Sequence, residues 1–178
     1  MTRIVSFAVL CIALSGCANV MSKQSMQLVD KSVSFEMVRT DPEAYKGKYI
    51  LTGGTIAGIR NRTGESQLEV VQLPLDSSGR PEESYETRGR FIAVMDKFLD
   101  PLIFKQGRQV TIVGEVRGQQ VRRLDQVDYA YPVLGVRELH LWQPEPERYA
   151  PYGYGYPYYR YDPWWPYWYN RPGPYRWW

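Results

Sequence analysis

The sequence predicts an all-β domain, a small closed barrel, and three observations predict it. Between residues 49 and 142 short apolar runs rich in β-branched residues recur about every ten residues, separated by turn signals. Helical periodicity is confined to a turn or two before residue 47, so alternating helix and strand layers are excluded. Glycines fall inside the apolar runs, as at Gly53 and Gly54, where a strand coiling around a small radius needs a residue without a side chain.

The elements follow in order. Ser34 is the N-cap of a short helical turn that puts Phe35 and Val38 on one face, and Asp41 followed by Pro42 signals a second turn that Gly47 ends. Tyr49 to Arg60 is the first strand, with a bulge or sharp coil at Gly53 and Gly54. Asn61 to Gly64 turns the chain, and Gln67 to Leu73 returns as the second strand. Asp76 to Pro81 has the composition of an exposed loop. Arg90 to Met95 is a third strand, and Asp96 to Phe104 a short helix or loop broken at Pro101. Arg108 to Val116 alternates, Gly118 to Gln120 is read as a turn, and Val121 to Leu124 as the returning arm of a hairpin. Tyr129 to Val136 and Glu138 to Trp142 supply the last strands. The preferred architecture is a small OB-fold-like β-barrel with short helical turns, and the alternative is an irregular β-sandwich.

The ends of the chain carry the functional signals. Arg3, an apolar run from Ile4 to Leu14 and small residues after it form a secretory signal peptide, too short to span a bilayer, which needs about 20 residues. Leu14, Ser15, Gly16 and Cys17 resemble the bacterial lipobox, in which the cysteine thiol is diacylglycerated before the bond preceding it is cut. The resemblance implies that Cys17 becomes the first mature residue and carries a covalent diacylglycerol and an N-acyl lipid. Cys11 lies within the discarded apolar run. In the sorting scheme of Gram-negative lipoproteins, aspartate after the lipidated cysteine favours the inner membrane. Ala18 stands there, so the resemblance implies the outer membrane, with the body in the periplasm.

Four regions result: a lipoprotein signal peptide (1–16), the lipidated cysteine with a tether (17–32), a β-barrel domain (33–143) and a low-complexity tail (144–178). Fully extended, the tether would let the body stand about 45 Å from the bilayer. Residues 149–178 hold fifteen aromatic residues and six prolines, a composition that makes neither core nor regular structure. Three readings of the tail stand together: an appendage without a single ligand, a second attachment at the membrane interface, or a glycan-binding segment. Tyr152, Tyr154, Tyr156, Trp164, Trp165 and Trp168 are the candidate contacts in the latter two, since such rings suit both a bilayer interface and the face of a sugar.

An ordered set of residues reaches further than a fold class. Pro42, Tyr45-Lys46-Gly47-Lys48, Gly53-Gly54 with Ile56, Asn61, Gln72-Leu73-Pro74-Leu75 and Gly89-Arg90-Phe91 are followed by Phe98-Leu99-Asp100-Pro101, Gly107-Arg108, Val110-Thr111 and Gly114. Tyr129, Tyr131-Pro132-Val133 and Leu141-Trp142 complete it. From Phe35 to Trp142 this succession resembles the Slp family of outer-membrane lipoproteins. The resemblance implies a place in the outer membrane and an association with starvation or stress responses, and it brings no catalytic residue with it.

The chemistry of the chain points away from an enzyme. One histidine, His140, sits in an alternating strand and is expected on its more solvent-facing side; with the only mature cysteine acylated, zinc and Cys–His chemistry are excluded, and no metal or cofactor is expected. The carboxylate pairs Asp96 with Asp100 and Asp125 with Asp128 leave a hydrolase as a weaker third reading. The net charge of +3 is mixed along the chain, with no block that would track a phosphate backbone, and a periplasmic body seldom meets nucleic acid. Arg117, Arg122 and Arg123 are read as a solvated face, better suited to anionic headgroups than to DNA. The expected function is that of a non-enzymatic envelope lipoprotein contacting outer-membrane lipid and peptidoglycan or other envelope components, with a glycan- or lipid-binding module as the alternative. The oligomeric state is left open.

Overall fold

The computed structural model describes residues 20–144 other than Tyr85. Two short helices precede five strands: α1 (Lys23–Leu28), α2 (Phe35–Thr40), β1 (Tyr49–Arg62), β2 (Glu65–Gln72), β3 (Arg90–Met95), β4 (Gln109–Leu124) and β5 (Val127–Leu141). The strands close in the order β1-β2-β3-β5-β4, antiparallel throughout except for β3 against β5. This is an OB-fold-like barrel, as the spacing of apolar runs predicts, and not a sandwich.

Closure depends on β1 serving two neighbours. Residues 49–55 pair with β4, while residues from Gly54 onward pair with β2, so at Gly54 the strand passes from one partner to the other. A Cβ on Gly54 would lie 2.8 Å from the Val71 carbonyl carbon and 3.0 Å from Gln72 Cα, and closer still to the Val71 oxygen. Only glycine lets the backbones approach this far.

Alternate residues fill the interior, as the period of a strand requires. Ile50, Ile56, Leu68, Val70, Phe91, Val110, Ile112 and Leu134 are all buried in one cluster. Each end has its own stopper. At the end where β1 and β3 begin, the Ser34 hydroxyl accepts the Met37 N–H at 3.3 Å and starts α2, which delivers Phe35 against Phe91 at 5.5 Å between centroids. At the end where β4 begins, Leu99 and Phe104 from the β3–β4 loop pack on the same cluster.

Two expectations are corrected. Gly118 does not turn the chain: with φ of 108° it sits at a β-bulge inside β4, which runs on to Leu124. The reversal comes at Asp125, whose φ of 56° is tolerable for aspartate, and Val121–Leu124 is the outgoing arm. Residues 129–136 and 138–142 are not separate strands but one β5, bent where the register shifts between Gly114 and Val113. Pro42 to Gly47 forms the successive turns that Asp41 and Pro42 signal, their start fixed by the Asp41 carboxylate accepting the Ala44 N–H at 3.2 Å.

The largest correction concerns the tether, whose described part is built into the body. The Ser22 hydroxyl accepts the Ser25 N–H at 3.2 Å and starts α1. Met21 and Ser25 are buried, and Val29 forms a bridge with Tyr49. Six helical residues are too few to show a period in sequence, which is why this element reads as linker. Only Ala18 and Asn19 lie in sequence between Cys17 and the first described residue, Val20, a step that can span at most about 11 Å.

Candidate functional site

The residues singled out for lipidation and processing, Leu14, Ser15, Gly16, Cys17 and Ala18, and the tail aromatics Tyr152, Tyr154, Tyr156, Trp164, Trp165 and Trp168, lie outside the described residues. What the structure supplies is the seat of the chain that follows Cys17, and the faces on which a barrel of this kind receives a ligand.

The seat is a row of clasps. Ser22 donates its N–H to Glu138 Oε1 at 3.0 Å and its hydroxyl to Glu138 Oε2 at 2.6 Å. Burial pushes the Glu138 carboxyl up, but hydrogen bonds from Ser22 and Ser25 outweigh it and hold the group below its ordinary value. Further along, the Asp30 N–H donates to the Tyr49 carbonyl at 2.9 Å, and the Asp30 carboxylate meets Lys48 Nζ at 3.1 Å. The Ser32 hydroxyl, then Lys48, then the Ser32 N–H hold Asp30 down to about 2, against an ordinary 3.8. Beside Val20 the loop 76–81 is fastened in turn: Thr111 donates its hydroxyl to the Gly79 carbonyl at 2.6 Å, and Gln109 Nε2 donates to the Pro81 carbonyl at 3.1 Å. Trp142 Nε1 donates to Thr111 Oγ1 at 2.9 Å, with the Arg80 guanidinium 5.3 Å from the Trp142 ring centroid and His140 edge-on at 4.6 Å. His140 is thus half-buried on this outer face, packed against a ring.

These shifts predict an acid response. A carboxylate whose folded pKa is depressed stabilises the fold in full above its unfolded pKa and loses that contribution as pH falls through the folded one. For Asp30 the window runs from about 4 down to about 2. Hydrogen exchange at pH 5 and pH 2.5, corrected for intrinsic rates, is expected to show protection reduced at the Asp30 amide and retained at Ile112 within β4. Asp30→Asn should lose much of that protection already at pH 5.

The second surface is the outside of β2 and β3, where barrels of this architecture take oligonucleotides or oligosaccharides. Here the long β4–β5 hairpin arm lies across it. Tyr131 is buried against Ile92 and Val94, with Tyr129 edge-on at 4.7 Å. The Tyr131 hydroxyl donates to Glu69 Oε1 at 3.2 Å, and that carboxylate also receives Arg90 at 2.7 Å. Burial first, and Glu69 second, push the Tyr131 phenol up, so it stays a neutral donor. Tyr129 accepts the Arg90 N–H at 3.0 Å, and Arg122 donates to Gln67 and to Gln120. Partial burial lowers the Arg122 pKa, and the neighbouring charges of Arg60 and Arg62 lower it further. Arg122, expected on a solvated face, is half-buried as part of this clasp, whereas Arg117 and Arg123 are exposed. The sequence gives no sign of the clasp beyond the ordered Tyr129 and Tyr131, because its partners Glu69 and Arg90 are distant along the chain.

The carboxylate pairs are placed apart from any enclosed cavity. The Asp100 carboxylate accepts the Leu102 N–H at 2.8 Å and shapes a turn, Asp96 is exposed beside it, and Asp125 and Asp128 stand exposed at the hairpin tip. An open groove beside α2 is lined by Glu36, Met37, Thr40, Asp41, Ala44 and Tyr45. Among the described residues there is no cluster of three or more His, Cys, Asp or Glu set to hold a metal, and no helix is long and apolar enough to cross a membrane.

Comparison with known proteins agrees with the ordered residues. The model of the outer membrane lipoprotein Slp family matches residues 14–174. The uncharacterized lipoprotein YeaY of Escherichia coli (strain K12) is 33% identical over 177 residues, covering 93% of this chain and 88% of that protein. The outer membrane protein Slp of the same strain is 30% identical over 113 residues, covering 64% of this chain and 60% of that protein. Among solved structures, a small single-stranded DNA-binding protein from Streptomyces coelicolor is superposable with a TM-score of 0.36 and 11% identity, over 54% of this chain and 94% of that one. On the family model and these relatives, the chain belongs to the Slp family of outer membrane lipoproteins, and its place is the outer membrane of a Gram-negative envelope.

Proposed function

We propose that this envelope lipoprotein is a non-enzymatic structural component, held to the outer membrane by acyl chains on Cys17, which faces the periplasm and contributes to envelope integrity under stress or starvation. The observation that carries the reading is the seat of the N-terminal segment. From Val20 onward the chain is fastened to the barrel, so a lipid on Cys17 holds the whole body within a few residues of the bilayer instead of on a long leash. One acyl chain binds a membrane only marginally, with an association constant of about 10⁴ M⁻¹, whereas several give lasting attachment.

The body suits a scaffold. Its interior is filled, both ends are stoppered, and the β2–β3 face is occupied by Tyr131 and Arg122 of its own hairpin arm. A glycan- or lipid-binding role therefore rests on the tail, where Tyr152 to Trp168 would add a second attachment to membrane or peptidoglycan beyond the first at Cys17. Mass spectrometry of the mature amino-terminal peptide tests the anchor. The expected peptide begins at Cys17 and is heavier by a diacylglyceryl and an N-acyl group; a peptide beginning elsewhere, or an unmodified Cys17, would overturn it.

A further inference from the structure

The loop between β3 and β4 presents apolar side chains that the fold does not use. Phe98 is 71% exposed, Leu102 84% and Ile103 51%, while Leu99 and Phe104, interleaved with them, turn inward and stopper the barrel. The display is held rigidly. The Asp100 carboxylate accepts the Leu102 N–H, its carbonyl accepts the N–H groups of Ile103 and Phe104 at 3.0 and 2.9 Å, and Asn61 Nδ2 and Ser66 Oγ bind the Leu99 backbone at 2.9 Å each. An exposed apolar cluster fixed in place by a turn marks a contact surface.

Its position selects the occupant. Val20 sits over Gly79, whose loop is bonded to Gln109 and Thr111, the first residues of β4. The β3–β4 loop leads directly into the same start of β4, through Gly107 and Arg108, which exchange backbone hydrogen bonds with Ile56. Val20 and the apolar tip therefore lie toward the same end of the barrel, and only Ala18 and Asn19 separate Cys17 from Val20 in sequence. Lys97 and Lys105 flank the tip, exposed, with stems long enough to set their ammonium groups among lipid phosphates. Three side chains fall far short of the roughly 20–30 residues a side of a stable protein interface, but they are enough to enter a bilayer interface to which the protein is already tied.

We propose that Phe98, Leu102 and Ile103 insert into the interfacial layer of the phospholipid membrane that holds the Cys17 anchor, setting the barrel upright on that end. This rests on the anchor proposed above. The test uses the full mature lipoprotein carrying Leu102→Cys, labelled with an environment-sensitive fluorophore and reconstituted into vesicles of phosphatidylethanolamine and phosphatidylglycerol. Val121→Cys, at an exposed position on the hairpin arm, is the comparison. The expected result is emission shifted to the blue and lost on adding nitroxide-labelled lipid for position 102, with neither change at 121. Protein that floats with the vesicles while its 102 probe stays water-like overturns the insertion alone. A blue-shifted probe insensitive to nitroxide lipid assigns the tip to a second copy or another protein and also overturns it. Protein that fails to float overturns the anchor, and the insertion with it.

Discussion

Gly54→Ala is expected to unfold the barrel or leave it barely folded, with a loss of about 3 kcal/mol or more. The added Cβ would meet backbone atoms of Val71 and Gln72, which belong to the β1–β2 ladder and cannot swing aside as a side chain does. Relief requires parting β1 from β2 where β1 also pairs with β4 at Val110, so both seams yield together. Against a typical stability of about 5–15 kcal/mol this is a large fraction. Gly58→Ala in the same strand is the control. Nothing lies within 4 Å of its Cβ position, and alanine costs less backbone entropy, so stability should stay within about 1 kcal/mol of the parent. Thermal melts of the two variants by circular dichroism check the contrast: Gly54→Ala should melt about 10 °C lower or more, if it folds at all. Gly135 offers an intermediate case, because the atoms its Cβ would strike belong to the Arg117 side chain, which is exposed and free to move.

The sequence made most of the barrel legible, for reasons that can be located. The run at Tyr49 is a partly buried strand whose burial nearly alternates, which writes a period of two into the residues. By contrast, the runs at Arg90 and Arg108 are buried on consecutive positions and are legible from their apolar, β-branched content between turn signals. The Gly53-Gly54 pair told of a strand coiling hard, and Gly54 marks the corner itself, although the register shift lies at Ile56 and Gly58. Ser34 announced α2 because a cap hydroxyl followed by Phe35 and Val38 is a local signal. Gly118 misled for the opposite reason. A positive φ serves a bulge as readily as a turn, and only pairing with β5 decides between them.

The functional surfaces were less legible because their partners are far apart in sequence. Ser22 and Glu138 are 116 residues apart, and Tyr131 and Glu69 are 62 apart. No local pattern encodes either meeting. The segment read as a tether is short and mixed because it needs only Met21, Ser25 and Val29 to reach the barrel. The residues from Asp96 to Phe104 read as a loop broken at Pro101, and the structure adds that each side of the break carries both a stopper, Leu99 or Phe104, and exposed apolar side chains.

The proposed attachment through Cys17 carries the rest of the account, and Cys17→Ser is expected to have the largest effect on where the protein resides. Serine offers no thiol to take the diacylglyceryl group, and without that group the processing that exposes residue 17 does not follow. The described body has no helix able to cross a membrane, and an interfacial tip of three apolar residues gives only weak, reversible binding by itself. The direct measurement is flotation of the fractionated envelope from cells of a Gram-negative host that express the parent or the Cys17→Ser chain. The parent should float with outer membranes, and the variant should either leave them for the soluble periplasmic fraction or remain unprocessed at the inner membrane. A variant that floats with outer membranes as completely as the parent would contradict the account.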